Sequence, residues 1–264
     1  MRYRSQTYGS IAFVERNFAL VRRYIGWEAV FVSYNVVNAL AIGLIGARMG
    51  KDMIVYLVVG AMVWGFLSIL FHEISESIAW ERWEGTIEYT FMAPISRFIH
   101  LIGNCLWAVV YGVIRSSLIL AIVVLFFGIS IKGANLPGLF VILIVSGLSF
   151  VGLGLVAAVL PLLSTEKGAY ATHILEAALL LVSGVYYEIE VLPVWIRPLS
   201  YVSPATYTLR AMRAALLDGA GFDELMPIIL LLLVTGLLLV PLGMLIFSKA
   251  EHYAKKKGKL KRSG

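Results

Sequence analysis

An all-α, polytopic membrane fold is what this sequence predicts: six transmembrane helices, an N-terminal interfacial amphipathic helix, a short cytoplasmic helix between spans 2 and 3, and re-entrant helices between spans 5 and 6. Three observations predict it. Hydrophobic residues make up 60% of the chain and charged residues 14%, a balance too apolar to cover a water-facing surface. The apolar residues fall in long runs with few charges, and about 20 helical residues at about 1.5 Å each cross a hydrocarbon core of about 30 Å. These runs are continuous, whereas a membrane barrel would need alternating segments of about 10 residues.

One membrane domain covers residues 1–264, beginning with the interfacial segment 1–26. There Ile11, Val14, Phe18, Val21 and Ile25 recur at helical spacing while Arg16, Arg22 and Arg23 project elsewhere, so the helix lies along the inner leaflet. Those arginines face either lipid headgroups or a cytoplasmic partner. Five Arg residues and the lack of an apolar core before the first span argue against a cleaved targeting signal.

The six-span region, 27–248, follows. Trp27 to Ala47 and Met53 to Phe71 form a tight hairpin across Arg48 to Asp52. The third span runs from Ile102 to Phe127 around Arg115, and the fourth lies within Gly133 to Thr165. The fifth extends from Gly168 to Tyr187 and contains Glu176, and the sixth lies within Leu225 to Ser248. Between spans 2 and 3, Glu84 to Arg97 is an amphipathic interruption. Gly85 relaxes the backbone, Thr86 offers an N-cap hydroxyl, and one or two helical turns form before Pro94.

Between spans 5 and 6, Val185 to Pro204 is apolar and aromatic, yet Pro193, Pro198 and Pro204 prevent a continuous helix. The segment therefore dips and returns near the outer leaflet. Glu188 and Glu190 sit near its turn, either lining an exit or simply solvated. Ser203 as N-cap, Pro204 at the first helical position and Gly219 beyond the last turn mark a helix from Pro204 to Leu217 on the outer surface.

Fifteen of the 22 Lys and Arg residues lie on the side that carries both termini, which places the termini in the cytoplasm. The basic tail 249–264 suits anionic headgroups, and no aromatic or Gly-rich nucleic-acid motif accompanies it. Cys105 is the only cysteine, which excludes an intrachain disulfide and a thiolate metal cluster.

Two charges fall inside spans. A charged group at mid-membrane costs about 2.5–3.5 kcal/mol on insertion scales, so Arg115 and Glu176 face protein or water. Their depths make them candidates for a mutual pair, and His173, three residues before Glu176, is a candidate to join them. Enzymatic readings fail: His72-Glu73 lacks the second histidine of a metalloprotease helix, and no nucleophile elbow occurs. No catalytic residue or metal ligand is assigned.

Glu84-Gly85-Thr86-Ile87-Glu88 together with Ala93-Pro94-Ile95-Ser96-Arg97 resembles the signature after the second span of ATP-binding-cassette type-two export permeases. The segment from Leu192 to Tyr207, ending in Leu209-Arg210-Ala211-Met212-Arg213, resembles that family's loop before the sixth span. The likeness extends over essentially the whole chain, nearest to the drug and glycoconjugate export branches. It implies a permease homodimer in the plasma membrane, with two separate nucleotide-binding subunits that hold ATP and Mg. It makes Glu84, Gly85, Thr86, Glu88, Tyr89, Phe91, Met92, Pro94 and Arg97 the elements of a coupling helix seated on the ATPase. No phosphate loop, G-x-x-x-x-G-K-[ST], occurs in this sequence. The implied cargo is a drug, a lipid or a lipid-linked glycan. Tyr34, Phe66, Trp107, Tyr111, Phe150, Tyr186 and Tyr187 either line its path or pack between helices. An ion-coupled secondary transporter that needs no ATPase is the alternative.

Overall fold

The computed structural model describes residues 2–92, 97–129 and 133–258, and among these every regular element is helical. Eleven α-helices follow one another. They are α1 (Arg2–Arg23), α2 (Ile25–Gly46), α3 (Lys51–Trp83), α4 (Ile87–Met92), α5 (Arg97–Phe127), α6 (Leu136–Ala157), α7 (Val159–Leu163), α8 (Thr165–Val182), α9 (Arg197–Val202), α10 (Pro204–Arg213) and α11 (Phe222–Lys256). Among the described residues five helices are long and apolar enough to cross a membrane: α2, α3, α5, α6 continued through α7, and α11. The chain is thus a multi-pass membrane protein.

The fifth predicted span is the one that differs. Its helix, α8, starts three residues earlier than expected and stops at Val182, so its apolar part, Tyr170–Val182, is shorter than the other five. Gly184 adopts a positive φ of 69°, which ends the helix before Tyr187.

The helix α3 occupies the centre, packed against α2, α5, α6, α8 and α10. Val59, Phe66, Leu67, Leu70, Phe71, Ile74 and Ile78 are buried along it. Phe66 reaches Phe150 of α6, with ring centroids 5.9 Å apart, so both of these aromatics belong to the core. The α2–α3 hairpin closes as predicted: Gly50 turns the chain at φ 112°, and Gly46 lies so near Met53 and Ile54 that a Cβ would come within 3.0 Å of their backbone.

The pair α6 and α11 packs backbone against backbone. A Cβ on Gly152 would lie 2.5 Å from the Leu239 Cβ, and one on Gly243 would lie 2.7 Å from the Gly152 carbonyl oxygen. Helices in lipid gain from such closeness because dispersion contacts, not water exclusion, hold them together. Ser149 adds an interhelical hydrogen bond by donating to the Leu232 carbonyl at 2.9 Å. Asn135 caps α6 by accepting from the Gly138 N–H at 2.9 Å, and its amide donates to the Ala220 carbonyl in the turn before α11.

Packing of α1 and α10 adds detail to the sequence reading and corrects it at α10. The helix α1 docks on α5 through Phe13, against His100 and Gly103, and through Asn17, which bonds to Asn104, while Ile11, Phe18 and Ile25 of the predicted apolar stripe face outward from the protein. Helix α10 is not on the surface: Ala205, Thr206, Thr208, Leu209, Ala211 and Met212 are buried against α3, α6 and α11. The predicted cap also shifts, since the Ser203 hydroxyl pairs with that of Ser183 at 2.8 Å. The helix then relaxes into a π-turn, Ala214–Asp218, and ends as expected at Gly219 in the left-handed conformation.

Gly152→Val places a branched side chain against Leu239. Overpacking of this kind costs about 1–3 kcal/mol, so the variant should melt several degrees lower in detergent, whereas Gly26→Ala, with open space at its Cβ, should match the parent.

Candidate functional site

A cavity of about 990 Å³ opens between the end of α1 and helices α2, α3, α5 and α8. Trp27, Val30, Phe31, Tyr34, Trp64 and Ile69 give it an apolar wall, and its ionisable groups are gathered in two clusters. In the first, Arg115 lies 3.8 Å from Glu28 and donates to the Tyr111 hydroxyl at 2.7 Å. Tyr111 in turn donates to Glu28, and its ring stacks on Trp107, which donates to Glu73 at 2.8 Å. In the second, Glu176 accepts from Ser68 and lies 3.9 Å from His72 and 3.6 Å from His173.

The candidate pair Arg115 and Glu176 is therefore not formed. Both residues line the same cavity, but each is satisfied by a nearer partner, Glu28 for the arginine and the two histidines with Ser68 for the carboxylate. Depth counted along a helix fixes the level of a residue and leaves its direction around the axis open. His173 does join Glu176, as its spacing suggested. Of the remaining aromatics, Tyr186 lines this cavity, and Tyr187 donates to the Leu181 carbonyl beside a second one.

At one end of α3 lies the segment singled out by its amphipathic pattern. Glu84 follows the last turn of α3, and Gly85 reverses the chain at φ 74°, a conformation that an L side chain rarely adopts. Thr86 donates to the Glu81 carbonyl at 3.3 Å and so fastens the turn to the end of α3. In α4, Ile87 is buried in the core, while Tyr89 and Met92 are 72% and 73% exposed. Glu88 and Phe91 lie within α4, Arg97 begins α5, and Pro94 falls outside the described residues. Trp80 and Trp83, with ring centroids 5.4 Å apart and tilted by 59°, add exposed aromatic surface beside them.

The same end of α3 holds groups that the sequence reading missed. Arg82 is only 1% exposed, and its guanidinium donates to the carbonyls of Pro161 and Leu162 at 3.1 and 2.9 Å. These carbonyls belong to the broken end of α7, where no further helical N–H is available to them. Glu81 lies 3.0 Å from buried His100 and 4.0 Å from Arg16 of α1. Arg16 also sits over the Phe13 ring, whereas Arg22 and Arg23 are exposed. A charged residue in the last turn of a long apolar helix is the sequence signal for Arg82.

At the opposite end of α3, Glu188 and Glu190 are exposed and line a cavity of about 310 Å³ with Arg210 and Arg213. Arg213 lies over the Tyr56 ring at 3.5 Å and donates to the Val185 carbonyl at 2.7 Å. Pro193 is exposed before α9, and Pro198 sits in the first turn of α9, where a missing N–H costs nothing. Arg197 ties this loop together by donating to the carbonyls of Leu192 and Glu190.

A largely apolar cavity holding two clusters of ionisable groups, walled by long apolar helices and with an exposed helical handle at the end of its central wall, suits a membrane transport component. The comparisons with known proteins agree: residues 11–217 match the ABC-2 type transporter family, and the chain belongs to it. Two similar relatives carry the description probable multidrug ABC transporter permease YbhR, one from Escherichia coli (strain K12) and one from Escherichia coli O157:H7. Each is 26% identical over 167 residues, 61% of this chain and 45% of the relative. The match thus covers less than half the length of these curated relatives.

Breaking a buried ion pair costs about 3–5 kcal/mol because one charge is left stranded, while replacing both partners is often near neutral. Arg115→Met should therefore destabilise the protein strongly in thermal unfolding, and Arg115→Met with Glu28→Gln should recover much of the loss. A double variant no more stable than the single one would remove the pairing as the reason Arg115 is tolerated.

Proposed function

We propose that this chain is the permease subunit of an ATP-driven exporter, in which two copies form the pathway and two separate nucleotide-binding subunits, carrying ATP and Mg, dock on the face that bears α4. One observation carries the reading: α4, with Tyr89 and Met92 exposed, is joined through Gly85 to the same 33-residue helix that forms a cavity wall. Packed helices move as units, so a displacement of α4 is passed along α3 to His72, Glu73 and Ser68. Membership of the ABC-2 type transporter family supports the assignment.

In this reading α4 is the coupling helix and both termini are cytoplasmic, in keeping with the distribution of Lys and Arg. Helix α8, with 18 residues and a length of about 27 Å, serves as a sixth and shorter crossing. The segment Val185 to Pro204 is the re-entrant element, and α10 follows it. The buried face of α10 supports that placement. The substrate is amphipathic. A volume of about 990 Å³ suits a drug-sized molecule, and the description of the relatives as probable multidrug permeases supports a hydrophobic drug as the cargo to test first, before a lipid or lipid-linked glycan.

Proline fixes φ near −65°, so Gly85→Pro cannot adopt the 74° that Gly85 holds. Gly85→Pro and Glu88→Arg should each abolish most drug efflux from vesicles containing the assembled complex, while ATP hydrolysis persists and the elution profile is unchanged. Full efflux by both variants would refute a coupling role for α4.

A further inference from the structure

His72 on α3 and His173 with Glu176 on α8 bring their ligand atoms within 4.8 Å of one another. We propose that these three residues form a binding site for a divalent transition-metal ion of the zinc class, bridging α3 and α8 at the wall of the large cavity. Nothing in the coupling reading requires it.

The separations fit. Metal–ligand bonds of about 2.0–2.2 Å in tetrahedral geometry put neighbouring ligand atoms about 3.4 Å apart. The Glu176 carboxylate lies 3.6 Å from His173 Nδ1 and 3.9 Å from His72 Nε2, distances that small side-chain rotations reduce to the required value. Two imidazoles and one carboxylate are a donor set suited to zinc and its neighbours, and with three protein ligands the fourth position is left for water or cargo. That position faces the cavity, which all three residues line.

The surroundings hold the ligands as a metal site requires. Ser68 orients two of them at once: its backbone carbonyl lies 2.7 Å from His72 Nδ1, and its hydroxyl donates to the other oxygen of Glu176. A proton on Nδ1 leaves the Nε2 lone pair of His72 directed at the site, and the bound Oε1 aims Oε2 there. One helical turn away, the hydroxyls of Ser75 and Thr172 meet at 3.2 Å and keep α3 and α8 in register. An ordinary histidine–carboxylate ion pair would need neither the second imidazole nor the shared serine.

The test uses the full chain purified with a tag free of histidine, titrated with Zn²⁺ and with Co²⁺ as a spectroscopic substitute. One ion per chain should bind, and the Co²⁺ form should show the intense visible bands of a four-coordinate centre. His72→Ala, His173→Ala and Glu176→Gln should each weaken binding at least about tenfold, and Ser68→Ala should weaken it about 10–100-fold. His252→Ala, on exposed α11 surface, should change nothing. Because His173 is itself exposed, its variant keeps the packing intact and serves where another fails to elute normally. Absence of stoichiometric binding, or binding that survives His173→Ala and Ser68→Ala, means an adventitious ion only and overturns the proposal.

Discussion

Close packing around α3 is the constraint on which the remainder of the molecule depends. The helix packs against α2, α5, α6, α7, α8 and α10, and its closest contacts leave little or no room for a side chain. A Cβ on Gly60 would lie 2.0 Å from the Val185 carbonyl oxygen, and one on Gly154 would lie 2.9 Å from Ile74. In hydrocarbon, where water exclusion does not drive helices together, such contacts supply the cohesion. They also leave α3 little freedom to shift without carrying its neighbours. The cavity, the α4 handle and the loop before α11 are all fastened to this one rod.

Polar groups along α3 show the second consequence of a waterless surrounding, which is that each must be satisfied from within the protein. Three levels do so. At one end the Tyr56 carbonyl and ring receive Arg213, and in the middle Ser68 and Glu73 receive Glu176 and Trp107. At the other end Glu81 and Arg82 receive His100 and the carbonyls closing α7. Together the three levels join α3 to α5, α7, α8 and α10, so polar bonds fix its register as well as its position. Arg82 is the nearest of these to α4, and it connects the handle to the corner between α6 and α8.

The long spans, the α2–α3 hairpin, the turn at Gly85 and the short helix beyond it were legible because each follows from local composition or from one residue's backbone preference. What remained hidden depended on direction around a helix. Arg115 and Glu176 have compatible depths, yet Glu28 is the arginine's neighbour because α2 lies against α5 on that side. The cap and breaker residues of α10 mark where the helix starts and stops but not what it packs against. Its threonines are buried, with Thr208 bonded to the Pro204 carbonyl and Thr206 to that of Ser183. Gly184 ended α8 early for a reason no periodicity reveals, since its positive φ is set by the loop that returns over α3.

The functional account rests on energy reaching the cavity from outside the chain, through α4 and along α3. Reconstitution into liposomes tests this most directly, by following efflux of a fluorescent hydrophobic drug from vesicles that contain the permease alone or together with its nucleotide-binding subunit. Efflux that appears only with both subunits and ATP is the predicted result. Efflux by the permease alone, driven by an ion gradient and indifferent to ATP, would contradict the account.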